Sequence, residues 1–377
     1  MKKVFIFVGT RPEAIKMSPI YMEMKKNPNF QPVLVSTGQH KEMLLQALQD
    51  FNLTPDIDLN IMTYGQTLSS MSAKLFEKID QLLEVEKPDM VLVQGDTTTV
   101  QVASLVAFYR KIPVGHVEAG LRSHDIYSPY PEELNRRITS LVATWHFAPT
   151  EKAAQNLLQE GVSTDRICTS GNTVIDSLLW MSERLKDNPP DLPIDLQKII
   201  AEDKKIILVT GHRRESFGKG FENICSAIEE LAKRFPDVRI IYPVHLNPEV
   251  RKIVLKRLSN HKGILLISPL SYKSFVYLMN KSYLILSDSG GIQEEAPSLG
   301  KPVLVMRDVT ERPEGISAGV NFLVGTESSK IIEKVTKFLT DEEKYKTVAT
   351  KKSPFGDGKA ANHIIKFLEE NTIQLKH

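Results

Sequence analysis

Short apolar runs rich in β-branched residues alternate along this chain with longer segments of helical periodicity, and few folds accept that pattern. A continuous apolar run needs cover on both faces, which a parallel sheet with helices on each side provides. In the first half the runs predict strands over Val4–Val8, Pro32–Ser36, Met90–Gln94, Val114–Val117 and His146–Ala148. Helical stretches separate them near Ala14–Lys26, Glu42–Phe51, Leu68–Glu84, Thr99–Arg110 and Glu132–Val142. The alternation stops at Lys186-Asp187-Asn188-Pro189-Pro190-Asp191-Leu192-Pro193, where closely spaced prolines support neither a helix interior nor a central strand. It resumes with strands predicted at Ile206–Thr210, Val238–Tyr242, Ile264–Ile267, Tyr283–Ser287 and Pro302–Val305. The expectation is an α/β chain of two doubly wound, Rossmann-like domains facing a cleft, residues 1–186 and 194–358, joined by a linker at 187–193. A length of 377 residues suits two such domains.

Composition narrows the function. Lys plus Arg is 48 against 46 for Asp plus Glu, so a formal charge of +2 gives no electrostatic case for nucleic acid as a partner. Any anion must then be gripped by a local site. Cys168 and Cys225 are too few for a disulfide framework or a thiolate zinc site. The apolar run after Met1-Lys2-Lys3 is too short for a signal peptide, and no stretch approaches the length needed to span a bilayer. A cytoplasmic protein without membrane contact is expected.

The two halves begin alike. Val8-Gly9-Thr10-Arg11-Pro12-Glu13 and Val209-Thr210-Gly211-His212-Arg213-Arg214-Glu215 both place glycine, a polar residue and arginine where a strand turns into a helix. Thr10 and Glu13 fit a capping box with Pro12 in the first turn, so a helix starts at Arg11. An arginine there adds to the positive end of the helix dipole, which suits either an anion site or a surface side chain lying on the sheet. Asp288-Ser289-Gly290-Gly291 follows a strand and opens a helix. Its two glycines leave backbone amides open to phosphate oxygens, and Glu294 or Glu295 is placed to accept ribose hydroxyls; a turn chosen only for its backbone angles is the plainer alternative. Arg312, in the loop after the next strand, favours the anion reading.

No G-x-G-x-x-G or G-x-x-x-x-G-K-[ST] occurs, which speaks against a dinucleotide redox cofactor and against an ATPase. His116-Val117-Glu118 matches the H-x-E of zinc deaminases, but no P-C-x-x-C follows to supply the other ligands. The groups fit for acid and base work are Asp96, Glu118, Glu132 and His212, each at or beyond a strand's carboxyl end or in a following loop. An isolated carboxylate in such a place is usually a cap; carboxylates converging on one crevice perturb one another's ionisation and mark general acids and bases.

Gly9-Thr10-Arg11-Pro12-Glu13-Ala14-Ile15-Lys16, Gln94-Gly95-Asp96-Thr97-Thr98-Thr99, Gly115 to Arg122, Pro131-Glu132-Glu133-Leu134-Asn135-Arg136, Gly211 to Glu215 and Asp288 to Gly300 together resemble the bacterial non-hydrolysing UDP-N-acetylglucosamine 2-epimerases. The resemblance runs from Val4 to about Gly358. It implies a glycosyltransferase-B architecture, a homodimer, and interconversion of UDP-N-acetylglucosamine and UDP-N-acetylmannosamine for cell-surface polysaccharide. It also implies that a C-terminal segment, 359–377, crosses back to the first domain. Position by position, Arg11, Lys16, Asp96, Glu118, Glu132 and His212 match the family's catalytic region, and Phe275, Ser289, Gly290, Gly291, Glu295 and Arg312 its UDP site. Gln39, His40, Gln66, Arg213 and His245 resemble the site where relatives bind a second UDP-N-acetylglucosamine as activator. Leu270 stands where relatives often have glutamine, leaving any uracil contact there to backbone groups.

The family's reaction is an elimination. UDP leaves carbon 1 as the proton leaves carbon 2, and re-addition to the resulting 2-acetamidoglucal with a proton on the other face inverts the centre. Cations must receive the diphosphate and carboxylates must serve both faces of carbon 2. No metal or redox cofactor enters that scheme. The competing readings are a hydrolysing epimerase that releases UDP and free sugar, a glycosyltransferase, since the architecture serves both, and a nucleotide-sugar sensor that binds without turnover.

Overall fold

The computed structural model describes residues 1–38, 41–62 and 65–372, which divide into two compact units: Met1–Ser177 with Gly356 onward, and Leu178–Phe355. The first unit alternates β1 (Lys2–Val8), α1 (Arg11–Lys26), β2 (Phe30–Ser36), α2 (Lys41–Asp50), β3 (Ile57–Asp58), α3 (Leu68–Glu86), β4 (Met90–Gln94), α4 (Thr98–Tyr109), β5 (Val114–Val117), α5 (Glu132–Val142), β6 (Trp145–Ala148), α6 (Glu151–Gln159) and β7 (Ile167–Thr169). Helix α7 (Thr173–Asp187) follows. The strands form one parallel sheet in the order β3-β2-β1-β4-β5-β6-β7.

After α8 (Ile194–Ala201), the second unit runs β8 (Lys205–Thr210), α9 (Lys219–Arg234), β9 (Val238–Pro243), α10 (Pro248–Leu258), β10 (Ile264–Ile267), α11 (Tyr272–Lys281), β11 (Leu284–Ser287), α12 (Gly290–Ser298) and β12 (Val303–Val305). It closes with α13 (Pro313–Ser317), β13 (Asn321–Leu323), α14 (Ser328–Thr340) and α15 (Glu342–Ala349). Its sheet is parallel too, in the order β10-β9-β8-β11-β12-β13. In both sheets the strand order therefore switches side beside the first strand, at β1/β4 and at β8/β11, and crevices for ligands open at such points.

The strands are apolar because they are covered on both faces. Val4, Phe5, Ile6 and Val8 are fully buried in the first sheet, as are Ile207, Leu208 and Val209 in the second. Phe5, Phe7, Val91 and Val93 pack with Leu75, Ile79, Val102 and Val106 of the overlying helices, and Ile207, Val209, Ile240 and Tyr242 pack with Phe221, Ile224 and Ile228. Three short edge strands, β3, β7 and β13, escape sequence reading because two or three residues show no periodicity.

The units divide within α7, not at a loop. Ser177 Oγ donates to the Ile15 carbonyl of α1, while Ser182, a turn later, accepts from Asn280 of α11 at 3.0 Å. The expected linker 187–193 lies inside the second unit, where its first residue ends α7 and 188–193 run on to α8. The last helix, α16 (Ala360–Thr372), belongs to the first unit: Asp176 accepts the Ala361 N–H at 2.8 Å, Asn27 donates to Glu369 at 2.8 Å, and the rings of Phe147 and Phe367 meet edge to face at 5.7 Å. Among the described residues no helix is long and apolar enough to cross a membrane.

Candidate active site

In the first unit the crevice beside β1 and β4 is built by one buried carboxylate. Glu13, in the first turn of α1, accepts the N–H groups of Gly9 and Thr10, the latter at 2.7 Å, and the hydroxyl of Thr97 beyond β4. It closes the capping box and also ties the β1–α1 turn to the β4–α4 turn. Burial pushes the Glu13 carboxyl above its ordinary range, against the pull of Thr97, Gly9 and Thr10. Gly9 is required by close approach, since a Cβ there would lie 2.6 Å from Thr37 Oγ1. Arg11, first residue of α1, has no ion pair among the described residues and stands at the positive end of the helix.

The candidate carboxylates stand at adjacent strand ends. Register pairs Gln94 with Val117, so Gln94 reaches across and donates to Glu118 Oε2 at 2.8 Å. The same oxygen takes the ammonium of Lys16. Glu118 itself is in the left-handed region, φ 63°, an arrangement costing a non-glycine residue about 1–3 kcal/mol and typical of functional sites. Asp96 pairs with Arg136 of α5 at 2.8 Å, and its carbonyl accepts from Asn135 at 2.8 Å. Burial raises the Asp96 carboxyl, Arg136 pulls it back, and the Glu118 charge raises it again. Glu132 opens α5, and its Oε2 is buried without a partner among the described residues. Beneath them, His116 is held neutral by burial, at about 4, and donates Nε2–H to the Gly95 carbonyl at 2.8 Å.

In the second unit another buried carboxylate repeats the device. Register places Ser287 beside Thr210, and Asp288 Oδ2 accepts the N–H groups of both His212 and Arg213 at 2.8 Å. The other oxygen stands 3.2 Å from His212 Nδ1. Burial works to raise the Asp288 carboxyl, but the His212 and Arg213 donors outweigh it and hold it below its ordinary range. The imidazole of His245 stacks on that of His212 at 5.3 Å, and burial and the neighbouring ring lower it.

Ser289 caps α12, and Gly290 and Gly291 form its first turn. Two guanidinium groups flank it: a Cβ on Gly290 would lie 3.8 Å from Arg312 Nη2 and 3.9 Å from Arg213 Nη2. Open amides, a helix N-terminus and two arginines make a site for a multiply charged anion. Glu294 is buried and holds Arg312 Nε. Glu295 Oε1 lies 3.8 Å from the Cβ position of Gly291, on the turn itself.

Of the residues singled out by sequence, Lys16, Asp96 and Glu118 bear on one another in the first unit, while Arg11 and Glu132 open α1 and α5; in the second, Ser289, Gly290, Gly291, Glu295 and Arg312 share the α12 turn, and His212 follows β8. Lys16 is engaged by Glu118. Phe275 lies half-buried in the first turn of α11. Arg213 and His245 adjoin the serine-glycine turn and His212. Gln66 precedes α3, and Gln39 and His40 lie outside the described residues. Sequence reading missed Glu13, Gln94, Arg136 and Asp288 as parts of the machinery. A signal existed for two of them: Gln94 and Asp288 are polar residues closing apolar strands.

The family model described as "UDP-N-acetylglucosamine 2-epimerase" matches residues 22–369. A UDP-N-acetylglucosamine 2-epimerase of Escherichia coli O157:H7 is 53% identical over 99% of this chain and 100% of its own. The crystal structure of UDP-GlcNAc 2-epimerase from Neisseria meningitidis bound to UDP-GlcNAc superposes with a TM-score of 0.87 at 48% identity, covering 98% of this chain and 100% of the other. The S. aureus MnaA–UDP co-structure gives 0.86 at 43% identity, over 100% and 98%. A family model over most of the chain and a relative more than half identical along its whole length settle the kinship: this chain belongs to the UDP-N-acetylglucosamine 2-epimerase family.

Proposed function

We propose that this protein interconverts UDP-N-acetylglucosamine and UDP-N-acetylmannosamine by elimination and re-addition of UDP, without net hydrolysis. The observation that carries the reading is that Asp96 and Glu118, at the ends of adjacent strands, each keep a cation of their own: Arg136 and Lys16. Carbon 2 of the sugar is not next to a carbonyl, so abstracting its proton alone gives an unstabilised carbanion. Coupling that loss to departure of UDP from carbon 1 solves the problem. The C2–H electron pair becomes the C1=C2 bond of 2-acetamidoglucal, the C1–O bond breaks, and its pair leaves on the β-phosphate. Return of UDP to carbon 1, with a proton delivered to the other face of carbon 2, completes the inversion.

Proton transfer falls to Asp96, Glu118 and Glu132, a positioned acid or base being worth about 100- to 10,000-fold. The departing diphosphate falls to the Ser289-Gly290-Gly291 amides, Arg312, Arg11 and His212. Phe275 and Glu295 bind the nucleoside. Arg213 and His245, with Gln39, His40 and Gln66, serve a second, activating UDP-N-acetylglucosamine. The functional protein is a homodimer supplying mannosamine sugars for surface polysaccharide in the cytoplasm; light scattering checks its mass.

Turnover of UDP-N-acetylglucosamine in deuterated water is the test. Deuterium at carbon 2 of both nucleotide sugars is expected. Unlabelled product excludes elimination, and UDP accumulating in step with free N-acetylmannosamine excludes the non-hydrolysing reaction.

A further inference from the structure

The guanidinium of Arg136 spends all of its nitrogens on two carboxylates. Nε and Nη2 both address the same oxygen of Asp96, Oδ2, at 2.9 and 2.8 Å, and Nη1 donates to Glu133 Oε2 at 2.9 Å. Glu133 is fully buried and anchored in turn by Arg137 at 3.2 Å and by the Ser123 N–H at 3.1 Å. Asn135, from the same turn of α5, holds the Asp96 carbonyl. The Arg136 clamp leaves Asp96 Oδ1 out, so one oxygen is fixed and the other is spared. The residue that opens this helix is Glu132.

We propose that Arg136 is a positioning residue for proton transfer: clamped on Glu133, it fixes one oxygen of Asp96 and reserves the other for the proton of carbon 2. The proposal rests on the elimination reading. The charged groups that bear most on Asp96 are Arg136 from α5, Glu118 beyond β5 and Lys16 from α1. Burial and Glu118 favour the protonated acid, Arg136 and Lys16 the carboxylate. A base must be ionised to act, so removing the guanidinium moves the pH at which Asp96 becomes competent upward. It also frees the carboxylate to turn.

The test uses the full-length enzyme with UDP-N-acetylglucosamine in deuterated buffer, reading kcat and KM against pH. If the wild type fails to interconvert the two sugars, the elimination reading falls and this inference with it. With an active wild type, Arg136→Met should move the acidic limb of kcat/KM up by about one to three pH units, with rate regained as pH rises. An equal loss at every pH means a purely structural role and overturns the proposal. Arg136→Lys keeps a charge but not the fork, and should lower kcat about tenfold with a near-normal limb and KM. A lysine variant with wild-type kcat overturns the proposal, and it decides alone if the methionine variant does not fold.

Discussion

Replacing Asp288 by asparagine separates the charge of that side chain from its shape. Asp288 Oδ2 accepts two backbone N–H groups at 2.8 Å, those of His212 and Arg213, in a fully buried setting. Hydrogen bonds to a charged acceptor are worth about 1.5–3 kcal/mol each and neutral ones about 0.5–1.5, so Asp288→Asn should cost roughly 2–3 kcal/mol. In a unit of this size that is a fall in Tm of about 4–12 °C. The chemical effect is separate. The carboxylate lies 3.2 Å from His212 Nδ1, an arrangement that suits a proton on that nitrogen. An asparagine that keeps its oxygen on the backbone N–H groups turns its NH2 toward Nδ1, forcing the other tautomer. We expect kcat to fall about 100-fold or more, with UDP binding weakened far less, as when a histidine loses its orienting carboxylate. Because the folded-state acid lies below its ordinary range, its stabilisation is present at neutral pH and drains away as pH drops through that lowered value. Calorimetry from pH 7 downward should therefore show wild type and variant converging in acid. A variant within 1 °C and twofold of wild type, about the error of such measurements, refutes the argument.

Gly290→Ala places a methyl at 3.8–3.9 Å from two guanidinium groups, an ordinary contact, so folding should be unharmed while the methyl shields the amides. Titration calorimetry should show UDP binding about tenfold weaker or worse, about 1.4 kcal/mol, with unchanged Tm. Gly120→Ala should not fold to a soluble product, because φ is +86° and the new Cβ would sit 2.2 Å from the Ala153 carbonyl oxygen; expression and solubility decide. Asp176 is raised from 3.8 to about 6, chiefly by burial, and at about 1.4 kcal/mol per unit this costs the fold roughly 3 kcal/mol as pH climbs through that window. Asp176→Asn should lack that slope, so its stability relative to wild type should rise between pH 4 and 6, read by urea melts; parallel pH profiles would count against it.

Much of this protein is legible in its sequence, for a simple reason. Strands covered on both faces must be apolar throughout, as Met90-Val91-Leu92-Val93 is, and helices covered on one face must be periodic. Those signals are local and need no partner to be read. They give the parallel sheets, the helix starting at Arg11, and the polar residues that end the strands. Edge strands such as Ile57–Asp58 are too short to carry any signal. The proline run reads as a linker because it cannot be regular structure, yet the units part within α7, where continuous helix hides a change of packing partner.

What only tertiary structure decided is which polar groups meet. Glu13 reads as a helix cap and proves also to hold Thr97, 84 positions away. Glu294 and Glu295 are neighbours of like charge and equal promise, but the first is buried against Arg312. Arg136 looks like one charge among many on an amphipathic helix until α5 is laid beside the end of β4. Alternation of apolar residues is written along the chain and survives any arrangement of it, so the sequence by itself determined the two sheets. A carboxylate's partner and ionisation depend on charges brought within a few ångströms from distant positions, and only the folded chain settles those.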